Sequence, residues 1–184
     1  MALGLDLSLT STGIALVRDG RLAEVGNVKT KGKVGDSLAV RADRLRGVLS
    51  HIELGFVRSL DLDIVVIESP SYGSSFGSAH DRSGLWWLVS DLCHRSDIPV
   101  ATVSPPGRAK YITGSGKTKD KEVVLAHAIE RYVVDGGPRI VNDDVADAVG
   151  LADMGARWLG EPVVPDELMP AVNLEAMGGA AWPE

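Results

Sequence analysis

Leu3-Gly4-Leu5-Asp6-Leu7-Ser8-Leu9-Thr10 opens the chain, and its reading decides the fold. Leucine at every second position makes one face of a strand apolar, while Gly4, Asp6, Ser8 and Thr10 fall on the other. A carboxylate in mid-strand is costly to bury unless something neutralises it. Two kinds of partner would serve Asp6: a buried Lys or Arg, or a divalent cation. The choice turns on whether other carboxylates arrive at the same place.

Outward from this strand, Thr12–Val17 and Arg21–Lys29 read as two more, joined by Asp19-Gly20, a two-residue hairpin signal. The chain therefore opens as an antiparallel meander. After the glycines at 32 and 35, Asp36 or Ser37 can cap a helix whose stripe is Leu38, Ala42, Leu45, Leu49 and Ile52. Arg41, Arg44 and Arg46 lie mainly outside that stripe, on a solvated face or against a DNA backbone. Ile64-Val65-Val66-Ile67 is short and β-branched, as expected of a central strand buried on both faces. It ends in Glu68-Ser69-Pro70, and the end of such a strand is where open α/β sheets place their sites.

Ser71–Arg82 is a polar, Gly- and Ser-rich loop with two aromatics, Tyr72 and Phe76. Either aromatic can anchor the loop to the body or stack against bases. A helix through Leu85, Leu88, Val89 and Leu92 follows, with Trp86 and Trp87 assigned to core or subunit interface. Pro99–Val103 is a further strand, and Pro105-Pro106 starts a helix that stops at Gly114. Thr113-Gly-Ser-Gly-Lys-Thr118 is not a nucleotide phosphate loop: Tyr111 stands where the motif's first glycine belongs, and a helix precedes it. Arg108, Lys110, Lys117, Lys119 and Lys121 are instead candidates for backbone phosphates. Glu122–Val134 is helical, and Asn142 or Asp143 caps a last helix running to about Leu159. Residues 161–184 have no periodicity and are expected to form an arm or a partly disordered tail.

The totals limit the function classes. A chain of 184 residues suits one domain that needs no staples, and a single cysteine, Cys93, excludes an internal disulfide and suits a reducing cytoplasm. No signal peptide and no membrane span are expected, because Asp6 interrupts the early leucines and no apolar run is long enough. The net charge of −6 is uneven: from Asn142 onward it is −8, leaving +2 for the remainder, and Pro105–Tyr132 holds six basic residues against three acidic. Local potential governs binding to a polyanion, so the overall acidity is no veto on a nucleic-acid partner.

Asp144 and Asp147 stand i, i+3 on the last helix and share a face, whereas Asp153 is about half a rotation away at roughly 100° per residue. Three separate parts of the chain thus offer acids: Asp6, Glu68 and the Asp144/Asp147 pair. If they converge, mutual repulsion prevents full ionisation without compensating cations. Hard divalent ions with oxygen ligands answer that need, and Mg²⁺ fits a site of few carboxylates plus water. A pair of such ions about 4 Å apart supports phosphodiester hydrolysis.

The ordered set is specific: Gly-Leu-Asp6-Leu-Ser-Leu-Thr-Ser-Thr-Gly13 opening a meander, Val-Val-Ile-Glu68-Ser-Pro closing a strand, and Asp144-Val-Ala-Asp147-Ala-Val starting a last helix. It resembles the RuvC-type Holliday-junction resolvases over roughly Met1–Leu159. Gly114-Ser-Gly116 followed by Lys121-Glu-Val-Val is similar to that family's basic stretch. The resemblance implies an RNase H-like α/β fold, with a five-stranded mixed sheet whose first three strands are antiparallel and with helices on both faces. It implies a nuclease domain over residues 1–160. It further implies a homodimer that nicks opposing strands of a four-way junction, leaving 5′-phosphate and 3′-hydroxyl ends. Asp6, Glu68, Asp144 and Asp147 would then hold two Mg²⁺ ions, with Mn²⁺ as a substitute. Lys121, with Lys119 beside it, would support the scissile phosphate, and Tyr72 or Phe76 would probe the junction. A branch-migration motor is a candidate partner, and a membrane is not.

Two other classes remain open at this point. One is a junction-binding protein without activity, which the complete acid set opposes. The other is an actin-like kinase or ATPase, which needs two such domains where this chain has room for one.

Overall fold

The computed structural model describes residues 1–70 and 79–184. The first strand, β1 (Ala2–Asp6), pairs antiparallel with β2 (Ser11–Arg18), which pairs antiparallel with β3 (Arg21–Lys29). On its other side β1 runs parallel to β4 (Ile64–Glu68), and β4 runs parallel to β5 (Val100–Val103). The order is β3-β2-β1-β4-β5. This is the expected five-stranded mixed sheet with an antiparallel opening.

The alternation read from the leucines ends sooner than expected. β1 stops at Asp6, and Leu7–Thr10 turn the chain into β2. The turn is held by polar side chains, the Thr12 hydroxyl donating to the Ser8 carbonyl at 2.8 Å and the Thr10 amide reaching the Ser8 hydroxyl at 3.3 Å. Ser8 and Thr12 therefore spend their hydroxyls on local backbone, which competes with a continued ladder. At the β2–β3 hairpin both Asp19 and Gly20 adopt positive φ, +51° and +66°, as the two-residue turn requires.

Each face of the sheet buries its own core. Leu3, Leu5, Ile14, Leu16, Val65 and Ile67 face α1 (Leu38–Ile52) and α2 (Ala79–Arg95). Ser37 caps α1 through its hydroxyl, and the helix continues into a wider turn at Glu53–Val57. The α1 arginines have assigned tasks: Arg41 Nε meets Asp81 on α2 at 2.8 Å, and Arg44 Nε meets the Thr30 hydroxyl at 2.8 Å. Arg46 pairs with Asp43 on the exposed side. In α2, Trp86 is half-buried and Trp87 stands out at 67 % exposure.

The opposite face, with Ala2, Ala15, Val17, Ile64 and Val66, is covered by α5 (Asp143–Trp158). Small residues let this helix lie directly on the strands. A Cβ on Gly4 would fall 2.2 Å from the Ala148 carbonyl oxygen, and one on Gly13 would fall 1.9 Å from that of Asp144. Both distances are inside hard contact, so these positions accept no side chain. A second layer covers the outside of α5: α3 (Pro105–Thr113), α4 (Lys121–Tyr132) and the C-terminal segment. As a result α5 is buried on all sides from Val145 to Ala156. A helix apolar all round belongs in a core.

Residues 161–184, expected to form an arm or a partly disordered tail, run back over this layer in short turns, including α6 (Ala171–Leu174). The Asn173 amide donates to the Tyr111 carbonyl at 2.7 Å, and Trp182 stacks on Trp158 with ring centroids 5.9 Å apart. Ala181 pairs with Thr102 on β5 through two backbone bonds of 2.9 and 3.0 Å. Individual contacts hold this segment, which is why it has no periodic sequence pattern. No helix among the described residues is long and apolar enough to cross a membrane.

Candidate active site

Strand register delivers two of the acids side by side. Leu5 lies opposite Ile67 in the parallel β1–β4 pair, so the next residue on each strand, Asp6 and Glu68, emerges at the same end of the sheet. Neighbouring strands lie about 4.8 Å apart, within easy reach of carboxylate repulsion. On the other side of β1, Asp6 pairs with Gly13, the residue on which the Asp144 backbone rests. The missing side chain at Gly13 therefore brings the first turn of α5 down beside Asp6. Asn142 caps that turn, accepting from the Val145 amide at 2.9 Å, which leaves Asp143 and Asp144 free of the capping role. Asp147, one turn on, points at the same place.

Electrostatics records the convergence. The Asp6 carboxyl is pushed up to about 8 by burial first, then by the charges of Glu68 and Asp147, with Arg108 opposing and Asp144 adding to the rise. Asp147 is pushed up to about 7, again by burial first; Arg108 opposes, and Glu68 and Asp143 add to the rise. Glu68, Asp144 and Asp147 thus all act on Asp6, and Glu68 acts on Asp147 as well.

Arg108 sits among them. Glu68 pairs with Val103 at the end of β5, and the chain then enters α3 through Ser104, whose hydroxyl caps the helix at the Gly107 amide, 3.2 Å away. Pro105 and Pro106 occupy the first turn, where no amide is needed. This entry aims Arg108 back at the strand ends. Its Nε donates to Glu68 Oε2 at 2.6 Å, and its Nη1 pairs with Asp147 Oδ1. The side chain is only 13 % exposed. Arg108, expected as a contact to DNA, is thus a counterion inside the acid cluster. The sequence signal that finds it is the strand end itself, since residues entering a helix just after β5 share the edge that carries Glu68.

The other candidates separate by position. Lys121, at the start of α4, pairs with Asp143, and that bond holds its ammonium above the usual lysine range. Asp143 is held below the usual carboxylate range, Lys121 and its own backbone outweighing partial burial. From sequence alone Asp143 reads only as a cap; in the structure it anchors Lys121. Lys119 and Lys121 line a groove of about 320 Å³ together with Arg108, Asp143 and Asp147. Lys117 is exposed on the turn leading to them. Lys110 points elsewhere: it lies two residues, about 200°, around α3 from Arg108 and pairs with Glu175 of the C-terminal segment at 2.7 Å. A second hollow, on the other side of the acids, is bounded by Asp6, Glu68, Ser69, Arg82 and Trp86, and the Trp86 indole donates to the Glu68 carbonyl at 3.1 Å. Tyr72 and Phe76 lie outside the described residues.

Among the described residues, no three His, Cys, Asp or Glu side chains are arranged to hold a metal ion. The donor chemistry nevertheless suits one. Every candidate ligand is a hard carboxylate oxygen, and Asp147 Oδ1, shielded from solvent, has no partner but Arg108 among the described residues. A buried carboxylate oxygen with so few partners is uncommon in native proteins.

No protein-family model matches the chain, and no curated protein does. Solved structures do. The Thermus thermophilus RuvC structure superposes with a TM-score of 0.64 at 18 % identity, covering 87 % of this chain and 96 % of that one. T. thermophilus RuvC in complex with Holliday junction substrate gives 0.64 at 17 %, with the same coverage. The yeast mitochondrial Holliday junction resolvase Ydc2 gives 0.54 at 15 %, covering 87 % of this chain and 79 % of that one. At such identities the likeness speaks for architecture, and together with the strand order it establishes that this chain has the RuvC-like form of the RNase H-like fold.

Proposed function

We propose that the protein is a metal-dependent endonuclease that resolves Holliday junctions or other branched DNA by paired nicks, leaving 5′-phosphate and 3′-hydroxyl ends. The observation that carries this reading is the meeting of Asp6, Glu68, Asp144 and Asp147 at one end of the sheet, with two of the carboxyls forced far above their usual range. A protein gains nothing in stability from such repulsion, and strongly perturbed acids beside a cleft are the mark of a site. The RuvC-like fold and the junction DNA bound by one of its structural neighbours support the substrate class.

Asp6, Glu68, Asp144 and Asp147 would hold the ions. When bound, Mg²⁺ supplies Lewis-acid stabilisation of the phosphate and a more acidic water. The chain's own part is positioning. Lys119 and Lys121 border the groove that leads to the acids and would fix the backbone phosphates there. Lys121, fully protonated and tethered by Asp143, presents a fixed positive charge to the charge that grows on the phosphate. Paired nicks require two equivalent sites related by a closed symmetry operator, so the reading includes a homodimer. The exposed Trp87 and Leu88 of α2 offer apolar surface for that contact.

A nicking assay on a synthetic four-way junction, run with Mg²⁺ and with chelator, tests the proposal. Symmetric cuts that need Mg²⁺ are expected. Equal cutting in both, or none in either, defeats it. A junction-binding protein without activity is the second reading, favoured by Arg108, which closes Glu68 and Asp147 into an ion-paired cluster. Junction gel shifts without metal-dependent cutting would decide for it.

A further inference from the structure

Arg108 is buried inside the acid cluster as a counterion to two of its members. Arg108 bridges two carboxylates from different elements, Glu68 on β4 and Asp147 on α5. It supplies one positive charge to a place where Asp6 and Asp144 add their own charges to those two. Asp147 Oδ1 meets the guanidinium and has no other partner among the described residues. Arg108 thus gives one nitrogen to each of two carboxylates, in place of a fork onto one.

From these contacts we infer that Arg108 is a displaceable counterion: it holds the acids together when no divalent cation is bound, and it must leave for one to bind. The inference rests on the cation reading of the site. Three physical points support it. A guanidinium cannot shed its proton in a protein, so it cannot make way for a cation by neutralising itself. It contacts Glu68 and Asp147 through the same carboxylates that an ion would use, and two cations on one carboxylate oxygen repel. The α3 backbone is fixed by the Ser104 cap and the two prolines, so the exchange needs only a turn of the long Arg108 side chain. An exit is at hand, because Arg108 also lines the groove with Lys119 and Lys121. Once displaced, it faces the path proposed for a DNA phosphate. Cation and phosphate then favour each other's binding, since each takes one of the partners that otherwise satisfy the closed cluster.

The test is calorimetric titration of Mg²⁺, and separately Mn²⁺, into the full chain without DNA, comparing wild type with Arg108→Gln. If the guanidinium competes, the variant binds the ion at least about tenfold more tightly, because the wild-type affinity is reduced by the fraction of open sites. In chelator the variant also melts below wild type, and the difference closes at saturating ion. Wild-type binding with equal or weaker binding by a folded variant overturns the inference and leaves the cation reading standing. Absence of binding in both removes the two together. Should Arg108→Gln fail to fold, the wild-type side chain can be followed directly through its ¹⁵Nε–¹Hε resonance, assigned by its loss in Arg108→Lys. That signal is expected to move in step with Mg²⁺ saturation; a signal unchanged at saturation overturns the inference.

Discussion

Two buried aspartates on the same helix, Asp147 and Asp153, are treated in opposite ways. Asp153 has no exposure, and its oxygens are saturated: Tyr111 and Tyr132 donate their hydroxyls at 2.7 and 3.0 Å, and the Val163 amide donates at 2.7 Å. Arg157 stands 3.8 Å away and is itself tied to the Tyr111 hydroxyl at 2.8 Å. Burial pushes the Asp153 carboxyl up, these three donors and the Arg157 charge pull against it, and both tyrosine hydroxyls are raised so that they stay protonated as donors. Asp147 also has an arginine, yet its other neighbours are acids, and one of its oxygens has only that arginine as a partner among the described residues. The lesson is that burial alone does not separate a structural carboxylate from a chemical one. The saturation of its oxygens does.

The contrast can be broken by substitution. Asp147→Asn is expected to reduce junction nicking by at least about a hundredfold, more than loss of a group that only supports a metal ligand typically costs. Junction affinity in a gel shift should persist, and the melting temperature in chelator should hold or rise, because a repelled buried charge is gone. A fall in stability without loss of nicking would put Asp147 in the same class as Asp153.

Asp153→Ala should do the reverse. Taking one partner from a buried charged network costs about 3–5 kcal/mol. For a chain of this length that lowers the melting temperature by about 10 °C. Nicking per folded molecule should survive at a temperature where the variant is folded. A shift below about 2 °C would mean that the tyrosine–arginine centre contributes little.

The smallest effect sharpens the comparison through pH. The Asp6 and Asp147 carboxyls, raised to about 8 and 7 from an unfolded value of 3.8, bind more protons in the native protein than in the unfolded chain between these limits. Stability of the ion-free protein therefore falls as pH rises from about 4 to 8. Asp143 is shifted the other way, so its contribution changes only below the ordinary carboxylate range and leaves this window clear. Melting temperatures in chelator should decline from pH 5 to 8.5, and Asp6→Asn should flatten the decline. A slope untouched by Asp6→Asn would point to Asp147 and Asp153, whose carboxyls are raised as well.

What could be read in advance follows from the range of the forces involved. The meander, the central strand and the positions of Asp6, Glu68 and Asp147 were legible because alternation and strand ends are local patterns. The end of β1 was not, since leucines continue at alternate positions to Leu9 while the Ser8 and Thr12 hydroxyls turn the backbone. Counting charges showed that Pro105–Tyr132 is basic but could not show which way each cation faces. Arg108 turns inward and Lys110 turns to Glu175 because of where α3 sits against β4 and the C-terminal segment. The donors around Asp153 come from α3, α4 and the segment after α5, so no local spacing announces them.

The pairing of Ala181 with Thr102 bears on how the protein behaves in a crowded solution. β5 is an outermost strand, and an open edge of that kind is a template for foreign strands. The last residues occupy part of it. A chain trimmed before Ala180 would leave that backbone unmatched, and the first symptom would be stickiness, with oligomers growing as concentration rises while Asp6 and Glu68, held by the pairing of β1 with β4, keep their places.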